Sequence, residues 1–218
     1  MNTNLNTKLM AIGFVISGVG SAPHRSGRPE FIDIEQTLTE ALVESKNDFR
    51  LASLIFSWVA IHGDYVIVEK LFKIIHTDYH RDLKDNVWPY ALAAFAMSKK
   101  IHKWKKLTHK FKEGVYAFPK EMSELPIKQK GAASWAKKFN ILIPEDSIRI
   151  RETDILSPEE LIKNNLQYKN RYLFGVSYRA DIITAIQLGY ETPSQISKLI
   201  QCSYEPAHRI FNEYRMAT

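Results

Sequence analysis

Glu205, His208, Arg209 and Asn212 have the side chains that meet base edges in a duplex groove, and their spacing places them on one outward helix face. Arginine pairs with guanine, asparagine with adenine, and glutamate accepts from the cytosine amino group. The opposite face of the same helix carries Ala207, Ile210, Phe211 and Tyr214 at buried-face spacing. A second group of candidates is purely cationic. Residues 98–112 predict a helix in which Lys99, Lys103, Lys106 and Lys110 form a ridge, with Ile101, Trp104, Leu107 or Thr108, and Phe111 as the apolar stripe. Like charges at that spacing repel by a few tenths of a kcal/mol per pair, and a phosphate backbone relieves the repulsion while releasing counterions. From Lys99 to Lys138 there are twelve lysines and three acids, a local charge of +9 in a chain of +6, so the remainder carries −3.

Residues able to do bond chemistry do not assemble into a site. His76 and His80 stand at helical spacing with Asp78 and Asp82 nearby, but the glutamate of a zinc-peptidase helix is missing. The triplet His80-Arg81-Asp82 imitates a kinase catalytic loop without any of the other kinase segments. Gly18, Gly20 and Gly27 bracket a loop containing Arg25 and Arg28, a composition able to hold phosphate. It lacks the lysine and hydroxyl ending of a P-loop, and a plain connector is expected. We therefore expect no catalytic residue, no metal ligand set and no cofactor, and a chain that is not an enzyme. The single cysteine, Cys202, excludes an intramolecular disulfide and suits a reducing cytoplasm.

The elements that must position these groups are helices. At 218 residues, one or two domains with an ample core are expected. Lys8 precedes an apolar run, Leu9 to Ala22, that imitates a secretory signal peptide; we expect instead a helix docked on the body, then a glycine-rich loop. Asp33 caps a helix over 34–44, and Asn47 or Asp48 caps one over 49–62 that is apolar nearly all round and hence central. Helices follow over 65–76, with a strand at 65–68 as the alternative, and over 87–98, where small residues permit close approach. Residues 114–147 read as irregular around Pro119, Pro126 and Pro144, with a short helix in 132–139 and an extended piece at 141–144. Residues 147–154 alternate as a strand or extended linker. Ser157-Pro158-Glu159-Glu160 starts a helix that leads into the C-terminal unit.

The stretch 195–214 reads as two helices around the polar break Gln201-Cys202-Ser203, with Pro206 in the first turn of the second. It resembles the helix-turn-helix of bacterial transcriptional regulators, including the antitoxin-like kind. Ile196, Ser197, Lys198, Ile200, Cys202, Ser203, Ala207, Arg209 and Ile210 occupy matching positions. Gln201 stands where that pattern has glycine, so it must take a positive φ or change the turn. Upstream, Arg171, Leu173, Phe174, Gly175, Arg179, Ala180, Asp181 and Ile182 resemble the first helix of winged-helix regulators. The resemblance covers about residues 168–215, a fifth of the chain.

It implies a tri-helical, truncated winged-helix-like unit, and the succession of short-looped helices before it predicts a mainly α protein with an N-terminal helical bundle or stacked hairpins. The expected division is 1–30 for the apolar helix and glycine loop, 31–145 for the helical domain, 146–156 for a linker and 157–218 for the reader. The implied function is transcriptional regulation through duplex DNA. Glu205, His208, Arg209 and Asn212 would line the groove, and Lys198 and Arg179 would touch phosphates. Lys99, Lys103, Lys106 and Lys110 would add affinity. A wing is expected to be absent, since the sequence ends at Thr218. A homodimer is expected, and no membrane partner. The alternative is a non-enzymatic interaction module, an antitoxin or complex subunit, whose helical body binds a protein and whose C-terminal hairpin is structural. Burial of His208 and Arg209 against residues 30–110 would favour that alternative.

Overall fold

Two polar caps set the first long helices. Asp33 Oδ1 accepts the Gln36 N–H at 3.0 Å and starts α2 (Ile34–Glu44), and Asp48 accepts from Arg50 and Leu51 to start α3 (Phe49–His62). The computed structural model describes residues 3–16, 30–45, 48–77 and 86–217. Helix α3 is buried along most of its length, as its all-round apolar character requires. Against α2 lies α1 (Thr3–Ala11), which sends Leu5 and Leu9 into the core, followed by Ile12 and Phe14. The Trp58 indole donates to the Ile12 carbonyl at 2.7 Å, and the Phe14 ring lies parallel to Trp58. The N-terminal segment thus docks on the body, but its helix spans 3–11 and not the apolar run itself. Residues 17–22 of that run and the glycine loop with Arg25 and Arg28 lie outside the described residues.

A 3₁₀ turn (Gly63–Tyr65) leads into α4 (Val68–Ile75), so residues 65–68 form no strand. Helix α5 (Trp88–Ser98) carries Pro89 in its first turn and buries Ala91, Ala93, Ala94 and Ala96 against its neighbours. The lysine-rich stretch differs from its expected form. Helix α5 stops at Ser98, Lys100 takes a left-handed φ of 67°, and the Ile101 N–H returns to the Ala96 carbonyl. A 3₁₀ helix (His102–Leu107) follows, and no α-helix spans 98–112. Its physical basis is periodicity: Ile101, Trp104 and Leu107 recur every three residues, the period of a 3₁₀ helix, and all three are buried. The spacing of three also fits an α-helical face, hence the ambiguity in sequence.

Helix α6 (Lys120–Lys130) occupies part of the stretch expected to be irregular. Pro119 serves as its N-terminal boundary, and Pro126 sits inside it at the loss of one backbone donor. After α7 (Ser134–Lys137), a two-stranded parallel sheet pairs β1 (Val115–Tyr116) with β2 (Ile141–Leu142). The following extended chain runs along α3, where Ser53 and Ser57 hydroxyls accept the Arg149 and Arg151 N–H groups. Ser157 and Glu160 form the reciprocal cap of α8 (Pro158–Asn164). Asn165 caps α9 (Leu166–Phe174), and Leu161 and Tyr168 complete the larger core.

Three more helices close the chain: α10 (Tyr178–Gln187), α11 (Pro193–Leu199) and α12 (Tyr204–Ala217). They share a smaller core of Ile182, Ile183, Ala185, Ile196, Ile200, Ala207, Ile210 and Phe211, to which Phe31 contributes from ahead of α2. The protein is therefore mainly α. No helix among the described residues is long and apolar enough to cross a membrane.

Candidate nucleic-acid interface

The turn between α11 and α12 fixes the candidate surface. Gln201 adopts a φ of 54°, the left-handed conformation its glycine-like position demands. The Cys202 N–H then reaches back to the Ser197 carbonyl at 3.0 Å, closing α11 and redirecting the chain. Cys202 itself is half-buried beside the smaller core. Helix α12 turns Ala207, Ile210 and Phe211 inward, which leaves Glu205, His208, Arg209 and Asn212 in solvent. Tyr204, His208 and Asn212 make a ladder along this face. The Tyr204 ring stacks on His208 at 5.6 Å, and the Asn212 amide lies 3.1 Å from His208 Nε2. Arg209 keeps 69% of its side chain exposed, with Glu213 at 3.9 Å. None of the four groove-facing candidates is buried against the body.

The candidate phosphate contacts fare differently. Lys198 is exposed at the end of α11. Arg179 is exposed too, but donates to Glu213 at 2.9 Å, which ties α10 to α12. The lysine ridge is dispersed by the 3₁₀ geometry. Lys99 lies over the Phe95 ring at 5.5 Å, Lys103 donates to the Asp64 carbonyl, and Lys106 pairs with Glu69. Burial holds Lys103 below the usual lysine range. Lys99 and Lys110 lie exposed without an ion pair among the described residues, and Lys99 is the one of the two set over a ring. His76 Nδ1 donates to the Phe72 carbonyl at 2.8 Å and its ring stacks on the Phe72 ring at 4.0 Å, while Asp78, His80 and Asp82 fall outside the described residues.

Beneath the C-terminal helices lies a constellation that sequence inspection missed. Arg171 on α9 grips Glu35 of α2 at 2.7 and 2.8 Å and Asp181 of α10 at 2.9 and 2.8 Å. Lys70 of α4 reaches Asp181 at 2.9 Å and Glu35 at 3.3 Å, and also pairs with Asp33. The Glu35 carboxylate further accepts the Ile67 N–H, and Arg171 donates to the Tyr65 carbonyl. Burial alone would raise Asp181, but Arg171 and Lys70 outweigh it and hold it down to about 2. Glu35 is likewise held below its ordinary range, against the effect of burial, by the same two cations. Burial opposes the charge of Lys70, yet Asp33, Asp181 and Glu35 raise it above the ordinary lysine value.

Asp33, Glu35 and Asp181 bring carboxylate oxygens within 4.8 Å of one another, a spacing able to hold a metal. Two buried cations already fill that space, and a divalent ion would have to displace both. The arrangement is a joint that ties α2 and α4 to α9 and α10. Its sequence signal was the pair Arg171 and Asp181, which flank the winged-helix-like segment, but their partners lie more than a hundred positions away in Arg171's case.

A second buried contact ties α3 to α9. His62, fully enclosed, meets the Tyr168 hydroxyl at 2.9 Å through Nδ1 and the Leu156 carbonyl at 2.9 Å through Nε2. The carbonyl requires a proton on Nε2, so Nδ1 accepts from Tyr168. Burial pushes the imidazole down to about 4, and burial raises the Tyr168 hydroxyl. Comparison of the chain with protein-family models, with curated proteins and with solved structures gives no significant match to any of them.

Proposed function

We propose that this protein is a DNA-binding transcriptional regulator that recognises duplex DNA with α12. The observation that carries the reading is the split character of that helix: Ala207, Ile210 and Phe211 anchor it, while Glu205, His208, Arg209 and Asn212 stand free in solvent. Arg209 and Asn212 are the strongest base readers of the set, and Lys198 supplies a phosphate contact from the preceding helix. The ionic joint holds this surface in a fixed attitude to the body. A reader of this size makes few contacts, so a homodimer on two half-sites is the expected binding form.

Fluorescence anisotropy of labelled random duplex DNA across a salt series tests the reading. Binding with a steep salt slope, weakened in an Arg209→Ala/His208→Ala double variant, supports it. Absence of binding at low salt sinks it. A second reading, a non-enzymatic interaction module, draws support from Tyr172, Leu173 and Phe174, which are 59%, 58% and 47% exposed on consecutive positions of α9. Co-purification of a stoichiometric protein partner that is lost in a Leu173→Asp variant would favour it.

A further inference from the structure

Away from the reader, two sequence stretches without a single acid, 99–112 and 125–144, meet on one face of the body. They are stitched by backbone contacts. The Phe111 N–H donates to the Phe139 carbonyl at 3.1 Å, the Asn140 amide donates to the Phe111 carbonyl, and the Val115 N–H donates to the Asn140 carbonyl at 2.9 Å. This brings Lys110 and Lys112 beside Lys137 and Lys138, all four exposed. Lys106, Lys128 and Lys130 are paired with Glu69, Glu124 and Asp146, whereas these four make no ion pair among the described residues. Aromatic rings lie among them. His109 is exposed and set edge-on to Phe111 at 4.7 Å, and Tyr90 packs near both. Lys138 lies over one face of the half-buried Phe139 ring at 5.3 Å, and the ring also packs against the larger core.

We infer that this face is a second, separate nucleic-acid surface, which takes single-stranded DNA. Unpaired lysines tracking a phosphate chain, interleaved with ring faces on which bases stack, are what sequence-independent binding of an unpaired strand requires. A duplex hides its base faces and would engage the lysines alone. Ring faces and ammonium groups make no demand for a 2′-hydroxyl, so a deoxy strand satisfies every contact on offer. Of the lysines involved, only Lys110 belongs to the ridge expected from sequence. Lys103 and Lys106 are engaged elsewhere, and the polyanion surface has moved to the junction of the two acid-free stretches.

Anisotropy of a labelled oligo(dT) of about twenty nucleotides with the full chain tests the inference, beside oligo(rU), a hairpin duplex and heparin as competitors. The oligo(dT) is expected to bind, with His109→Ala and Phe139→Leu each weakening it about tenfold while leaving the salt slope unchanged. Lys110→Gln/Lys112→Gln is expected to flatten that slope by about 1.4, the loss of two phosphate contacts. His109 is exposed, so its variant keeps the test valid if Phe139→Leu fails to fold. Arg209→Ala/His208→Ala is expected to leave oligo(dT) binding unchanged. The inference is overturned by no binding at low salt, by ring variants that bind as well as the parent, by tighter binding of oligo(rU), or by loss of binding in the Arg209/His208 variant.

Discussion

Arg171 and Glu35, 136 positions apart, face each other in a two-pronged ion pair that is closed to solvent on both sides. Removing one member leaves the other as an uncompensated buried charge. Arg171→Met is therefore expected to cost about 3–5 kcal/mol, because Glu35 and Asp181 both lose their main cation. Urea unfolding measures it, and a loss under about 1 kcal/mol would contradict the joint.

His62 makes stability depend on pH. Its folded value of about 4 lies below the ordinary histidine value of 6.5, so the folded protein keeps it neutral while the unfolded chain protonates it. The contribution is fully present above 6.5 and is lost as pH falls toward 4. Urea midpoints are expected to fall by the equivalent of about 2 kcal/mol between about pH 7.5 and pH 5. A His62→Gln variant should lose stability overall but show a flatter profile across that window. An unchanged slope would remove His62 as its cause.

Gln201 holds a φ of 54° with a side chain that disfavours it. Gln201→Gly relieves that strain at the cost of a more flexible unfolded chain. The net gain is expected to be about 0.5–1 kcal/mol, read as a higher thermal midpoint. A lower midpoint would show that the glutamine side chain contributes more than its backbone costs.

Leu9, fully buried in the larger core, tests whether the N-terminal segment belongs to it. Leu9→Ala is expected to cost about 2–5 kcal/mol. A change within about 0.5 kcal/mol would mean that the segment detaches freely.

Much of the helical body was legible because its signals are local. Asp33 and Ser157-Pro158 mark their helix starts by cap chemistry, and α3 announces its burial by its composition. The turn at Gln201 was legible through its resemblance to a glycine-bearing pattern. Lys100 does the same work at the end of α5 with no such pattern around it, and the lysine-rich stretch was consequently extended as an α-helix. Helix α6 was hidden by Pro119 at its N-terminal boundary and Pro126 inside it, since an interior proline weighs against a helix on local grounds. The groove-facing candidates followed from spacing, whereas the joint did not, since Lys70 and Glu35 have no local feature that sets them apart from surface charges. Nor did the meeting of 99–112 with 125–144, which depends on the pairing of β1 with β2.

The joint also bears on how this protein can vary. Glu35 and Lys70 on one side and Arg171 and Asp181 on the other form a lock whose halves were written far apart in one chain. A C-terminal unit borrowed from another protein would arrive without the matching charges and leave Glu35 without its two-pronged guanidinium partner. The C-terminal unit is therefore not a cassette to be exchanged freely. A chimera that keeps the body must inherit Arg171 and Asp181 together with the helices that carry them.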